Sequence, residues 1–252
     1  MIAREDKEHL FSIERGLLAE EIIIYCMQQG KWFGDAAKVR VASEYDDLFN
    51  GVDSIIEFDN TRQLAIGIDT TISRNKINEK FQGIREKILD GKLLEVKYFK
   101  NANFSGSLHN VPLTVIGADL GANASLARLV YDMEMTDQFY SKDKPDRREK
   151  AEEAIRGHIS QFIILLEIKL ELEAFKEFAI RFGQGHLVAR LDADLDKIKE
   201  ILKERMPKNR EVRQRLLAEV QKDEVFKLIR QALRVEFTEW EESDIFVAKI
   251  KK

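Results

Sequence analysis

Two aspartates set inside apolar strand sequence are the first place in this chain where chemistry can be read. Asp53 opens the run Val52-Asp53-Ser54-Ile55-Ile56-Glu57, and Asp69 follows Leu64-Ala65-Ile66-Gly67-Ile68. A carboxylate inside a buried strand is costly unless it is paired, hydrogen-bonded or bound to a metal. Acids are also concentrated around these two. Between residues 44 and 69, Glu44, Asp46, Asp47, Asp53, Glu57, Asp59 and Asp69 stand against one base, Arg62. Asp53 and Asp69 are sixteen positions apart. In two strands joined by a short turn, that even spacing puts both on one face of the hairpin if no bulge intervenes. Carboxylates so placed, completed by water, suit Mg²⁺ or Mn²⁺. The plainer reading is a pair of strand-end acids capped by backbone groups or paired with arginines.

The elements that must hold these residues follow from periodicity. Residues 13–29 have helical spacing, with Leu17, Leu18, Ile22, Tyr25 and Cys26 recurring and Gly30 as the stop. Strands are expected at 38–42, 52–58 and 63–72, with a hairpin turn at 59–62. A helix over 76–89 carries Ile77, Phe81, Ile84 and Ile88 on one face, and further strands are expected at 93–99 and 111–118. A glycine-containing turn then leads into a helix over 124–139; it fits neither a P-loop nor a dinucleotide fingerprint. The fold class is therefore α/β (α+β), a mixed central sheet flanked by helices.

The grammar changes near Lys142-Asp143-Lys144-Pro145-Asp146, which suggests one domain over 1–145 and a second over 146–252. The second half reads as antiparallel helices: one over 147–182, broken by Gly183-Gln184-Gly185, one ending at Pro207, and one from Val212 to Leu233. Residues 245–250 could close the chain as a strand. The first of these helices has apolar residues on more than one face, including Ile168 and Leu172. Either neighbouring helices or a second copy of the chain must cover them, the latter as a homodimer through this half.

Residues 12–135, roughly, resemble the PD-(D/E)XK nuclease superfamily, the restriction-endonuclease-like fold. Gly16-Leu17-Leu18-Ala19-Glu20 looks like its first helix, with Glu20 at the acidic position. Asn50-Gly51-Val52-Asp53 looks like the strand bearing the motif aspartate, and Gly67-Ile68-Asp69-Thr70-Thr71 like the acid-X-Lys strand. The match departs at the lysine, where this chain has Thr71; Lys97 on the next strand or Lys76 at the start of the following helix could supply it. Glu95-Val96-Lys97 is itself an acid-X-Lys, so a second alignment exists. Asp69 is preferred because its strand follows Asp53 through a short hairpin. The resemblance implies metal-assisted phosphodiester hydrolysis, with Asp53, Asp69 and Glu20 holding Mg²⁺ or Mn²⁺ and Lys97 acting on the nucleophile or the developing charge. It implies a nucleic-acid partner, DNA ahead of RNA. If Thr71 is not compensated, it implies instead an inactive nuclease fold that serves as a binding or assembly module.

Composition narrows the alternatives. The chain has 252 residues, 44% hydrophobic and 34% charged, which excludes wholesale disorder and allows a substantial core. The single cysteine, Cys26, excludes an internal disulfide and a cysteine zinc site, and four scattered histidines offer no ligand pair. Apolar runs are far shorter than the roughly 18 residues a membrane span needs, and the N-terminus is charged without a signal-like stretch, so a cytoplasmic protein with no membrane partner is expected. The net charge of −4 gives no bulk attraction for nucleic acid. Local patches do: eight bases against four acids from Arg74 to Lys100, and six against two from Lys203 to Arg215.

Overall fold

The computed structural model describes residues 4–58, 64–71, 74–102, 104–139 and 145–238. It is a mixed α/β structure. A long helix α1 (Arg4–Gln29) precedes β1 (Lys38–Val41), a short helix α2 (Glu44–Asn50), β2 (Ser54–Glu57) and β3 (Ala65–Thr70). Helix α3 (Arg74–Leu89) leads to β4 (Leu94–Lys100), β5 (Ser105–Val111) and β6 (Leu113–Ile116). Helices α4 (Leu120–Phe139), α5 (Pro145–Arg156), α6 (Ile159–Arg181), α7 (Gly185–Arg205), α8 (Arg210–Val220) and α9 (Glu224–Leu233) follow. A π turn, Arg234–Thr238, ends the described chain. No helix among the described residues is long and apolar enough to cross a membrane.

The main sheet has the order β1-β2-β3-β6, with β1, β2 and β3 antiparallel in sequence and β6 parallel to β3. Its central strands are covered on both faces, which is why β2 and β3 read as near-continuous apolar runs instead of alternating. Strands β4 and β5 form a separate antiparallel pair. It is tied to α2 by Asp46, a fully buried carboxylate that accepts the backbone N–H groups of Lys97 (2.8 Å) and Tyr98 (3.0 Å).

Edge strand β6 is closed by α6. In a strand, alternate N–H groups point to the same side, and those of Val115 and Gly117 face away from β3. Glu171 and Glu167, one helical turn apart on α6, accept them at 2.8 and 3.0 Å. Burial pushes both carboxyls well above the usual range. Farther along, Arg190 of α7 pairs with the buried Asp194 (2.8 Å) and donates to the Ala65 carbonyl (2.8 Å), fastening α7 to the start of β3. Burial lifts Asp194 to about 7, although Arg190 opposes the shift.

Several expectations are corrected in detail. Residues 44–50 are a helix: Ser43 caps it by accepting the Asp46 N–H (3.1 Å), and Gly51, at φ +67°, ends it in the left-handed region. The strand expected over 111–118 divides at Pro112, which has no N–H to give a ladder. The helix expected over 147–182 breaks at Gly157-His158, where His158 caps α6, and the third expected helix divides where Asp223 caps α9. The turn at 59–62 and the terminal strand at 245–250 lie outside the described residues.

Among the described residues, one cluster of buried side chains includes members from Ile22 to Phe237, drawn from the sheet and from the later helices. Ile168 and Leu172 are fully buried within the single chain, so its own helices provide the covering for which a second copy was the alternative.

The α6 glutamates give a direct test. A carboxyl whose pKa is raised on folding favours the fold below its unfolded value, and that contribution is lost as pH rises through the folded value. Glu167→Gln keeps an acceptor for Gly117 without titrating, so its stability relative to the native protein should grow between pH 5 and pH 8 in urea unfolding. Glu167→Leu leaves the Gly117 N–H unpaired and should be about 1–3 kcal/mol less stable than Glu167→Gln at both pH values. Parallel pH profiles for the native protein and Glu167→Gln would contradict a buried, neutral Glu167.

Candidate functional site

The ladder between β2 and β3 runs without a shift from Glu57 opposite Ala65 to Ser54 opposite Ile68. The ladder stops there, because the Asp53 N–H donates to the carbonyl of Ile68 (2.8 Å), the residue that Ser54 already faces; Asp53 is a bulged residue at the end of β2 and is not carried in register to Asp69. Its carbonyl accepts from Ala42 (2.9 Å) on the other side. Both side chains are buried, with Asp53 8% and Asp69 7% exposed. Asp53 Oδ2 accepts the Thr70 N–H. Gly51 lies over the pair; a Cβ there would come within 3.9 Å of Asp69 Oδ2.

Three helices complete the surroundings. Glu20 comes from α1, Asp47 from α2, and Lys76, Lys80 and Lys87 from α3. Lys80 forms an ion pair with Asp69 Oδ1 and also reaches the Thr70 carbonyl (3.4 Å). Burial, then the Asp69 charge, raises Asp53 to about 7, with Glu20 adding to the shift and the Thr70 N–H and Lys80 opposing it. Burial also raises Asp69, against the charge and hydrogen bond of Lys80; Asp47 adds to the shift and Lys76 opposes it. Glu20 is raised by burial and then by Asp47 and Asp69. Lys87 is lowered by burial, against the attraction of Asp69. Four acids and three lysines therefore act on one another around the end of β2 and β3.

Of the residues expected from the sequence, the structure brings Asp53, Asp69 and Glu20 together. It does not bring Lys97 to them. Lys97 belongs to the separate β4–β5 sheet, on its exposed face, and its Nζ donates to the Tyr45 hydroxyl (3.2 Å). Glu95, the acid of the second alignment, is exposed and lies 3.6 Å from His109 Nδ1. Thr71 is buried, with its N–H donating to the Ile116 carbonyl (2.8 Å). The residue missed is Lys80. Its signal was present: Lys76, Lys80 and Lys87 form one stripe on α3, roughly 90° round from Ile77, Phe81, Ile84 and Ile88.

Magnesium is commonly held by one or two carboxylates with several waters retained. Asp53 and Asp69 supply that donor set: two buried carboxylates whose charges act on one another. A closed cage is absent, since no group of three or more histidine, cysteine or acidic side chains is gathered for a metal among the described residues. Glu20 therefore stands outside the pair, in reach of its field.

The raised Asp53 carboxyl makes the metal-free protein pH-sensitive in a definite direction. Its contribution favours folding below pH 4 and is lost as pH rises toward about 7. Thermal melts in a chelator should therefore show Asp53→Asn gaining stability relative to the native protein from pH 5 to pH 8. Asp194, Glu167 and Glu171 leave a residual slope in both. Identical slopes would show that Asp53 is not perturbed.

No family model matches the chain, and neither a curated protein nor a solved structure matches it. What the centre does is argued from its own geometry.

Proposed function

We propose that the chain is a divalent-metal-dependent nuclease-like protein that hydrolyses nucleic-acid phosphodiester bonds at Asp53 and Asp69, on a restriction-endonuclease-like core. The observation that carries this reading is the gathering of two buried carboxylates at the end of β2 and β3, Asp53 bonded to the amide that follows Asp69 and Lys80 paired with Asp69. The order of α1, the β2–β3 hairpin and α3 supports the fold assignment, and Lys80 stands where the resemblance requires a lysine that Thr71 is not.

Asp53 and Asp69 would hold the ion, with Glu20 orienting its water from outside the pair. When bound, Mg²⁺ or Mn²⁺ supplies Lewis acidity toward the phosphate and lowers the pKa of coordinated water. Lys80, released from Asp69 in that state, is placed to stabilise charge developing on the phosphate. Lys76 and Lys87, on the same stripe, attract the flanking phosphates. Asp53 binds a cation only after losing its proton, so metal affinity rises with pH through the neutral range.

The ion pair between Lys80 and Asp69 also favours a second reading, an inactive nuclease fold that binds nucleic acid. Here lysine answers the acid without a metal. Cleavage of DNA and RNA in Mg²⁺ and Mn²⁺ separates the two. Asp69→Ala should abolish metal-dependent cleavage, and Lys80→Ala should lower its rate by roughly 100-fold or more with little effect on binding. Activity that survives in Asp69→Ala would remove this site from the chemistry. Binding without cleavage under every condition would select the second reading.

A further inference from the structure

Helix α2 carries two different surfaces. One side presents Asp47 to Glu20 and Asp69, as described above. On the other side Tyr45, Leu48 and Phe49, at helical positions i, i+3 and i+4, share a face. The rings of Tyr45 and Phe49 stack with centroids 4.8 Å apart and planes at 28°, and Tyr98 of β4 meets Tyr45 edge-on at 5.2 Å. This cluster is held firmly, because buried Asp46 fastens α2 to the backbone of Lys97 and Tyr98. It is nonetheless outside the core: Phe49 is 73% exposed, Leu48 70% and Tyr98 63%. Lys97 lies over it, 5.2 Å from the Tyr45 ring and bonded to its hydroxyl.

We propose that this aromatic surface is a base-stacking platform for single-stranded nucleic acid, placed to hold the strand beside the Asp53–Asp69 centre. The inference rests on the phosphodiester reading of that centre and adds its substrate class. Ordered rings with free faces beside a cation are the combination that binds unpaired bases and their phosphates. A duplex does not use such a surface, because its bases stack on one another and offer only their edges in the grooves. The platform and the acid centre lie on opposite sides of one helix, roughly 10 Å across. The exposed area, on the order of 450 Å² for four such side chains, is well below the about 800 Å² per partner that a stable protein dimer takes. Nucleic acid, held by stacking and charge, does not need that area.

Fluorescence anisotropy on the full chain in a metal chelator tests this, with a labelled single strand of about 20 nucleotides and its matched duplex. Phe49→Ala combined with Tyr98→Ala should weaken single-strand binding at least tenfold and leave duplex binding within about twofold. The melting temperature should stay the same, since both side chains are exposed. Phe49→Trp should keep or tighten single-strand binding. Unchanged single-strand affinity, or an equal loss for duplex, would overturn the platform. So would a smaller mass by light scattering in the double variant, which would make the surface a contact between copies of the chain. Because the assay needs no cleavage, the two proposals fail separately. Stacking intact with no cleavage in any metal removes the phosphodiester reading alone; metal-dependent cleavage with no effect of the aromatic variants removes the platform alone.

Discussion

Two buried carboxylates that act on one another at the end of a strand pair do not both carry charge without help, and the arrangement of this fold around β2 and β3 follows from that constraint. Asp53 bulges from the end of the β2–β3 ladder, and its carboxylate bonds the Thr70 amide, next in sequence to Asp69. The help comes from separate elements: an amide of β3 for Asp53, an ammonium of α3 for Asp69. It is incomplete, since Asp53 still stands near 7 and Asp69 above the usual range. A protein that keeps such a pair retains a standing preference for added positive charge at that point.

The other buried acids of the chain show what complete help looks like. Asp46 is buried as deeply as any of them, yet its carboxyl lies below the usual range. Burial opposes this, but it is outweighed by the Lys97 amide, the Ser43 hydroxyl, the Tyr98 amide and the Asn50 side chain. Glu167 and Glu171 follow a third course: each has one amide to accept, and burial pushes its carboxyl well above the usual range. Asp46 and the two glutamates join elements to one another, and their surroundings suit the charge state each one keeps. The Asp53–Asp69 pair differs from these in that its acids lie beside further charged groups, Glu20, Asp47, Lys76 and Lys80, drawn from three helices.

Much of this was legible in the sequence, for specific reasons. Asp53 and Asp69 stood out because acids interrupt apolar strands there; their even spacing predicts a shared face only in an unbulged hairpin, and the bulge at Asp53 breaks that count. Glu20 entered through resemblance, and its place beside the pair is a matter of how α1 packs, which periodicity does not encode. Helix α2 was missed because its acids were read as chemistry, although Ser43, the acidic first turn and Gly51 are its start and stop signals. Lys80 was missed because only Lys97 on the next strand and Lys76 at the start of α3 were weighed. The residue that reaches Asp69 lies on a helix stripe, where side-chain reach matters more than position along the chain. The break at Gly157 was invisible to an apolar stripe that continues in phase on both sides of it.

The helical half of the chain bears on the same centre through β6. Glu171 accepts the Val115 N–H, and Val115 is the parallel-ladder partner of Asp69. Glu167 accepts the Gly117 N–H, and Gly117 lies so close to Thr71 that a Cβ there would sit 2.3 Å from its carbonyl oxygen. Thr71 in turn follows Asp69 by two residues. Residues from α6 thus hold the strand that holds Asp69 on the side away from Asp53. The coupling is also electrostatic, since the Asp69 charge is among the causes that raise Glu171. If Glu171 were ionised, the same repulsion would work against the charge on Asp69. With its carboxyl raised by burial, Glu171 fastens the edge of the sheet and spares Asp69 that repulsion.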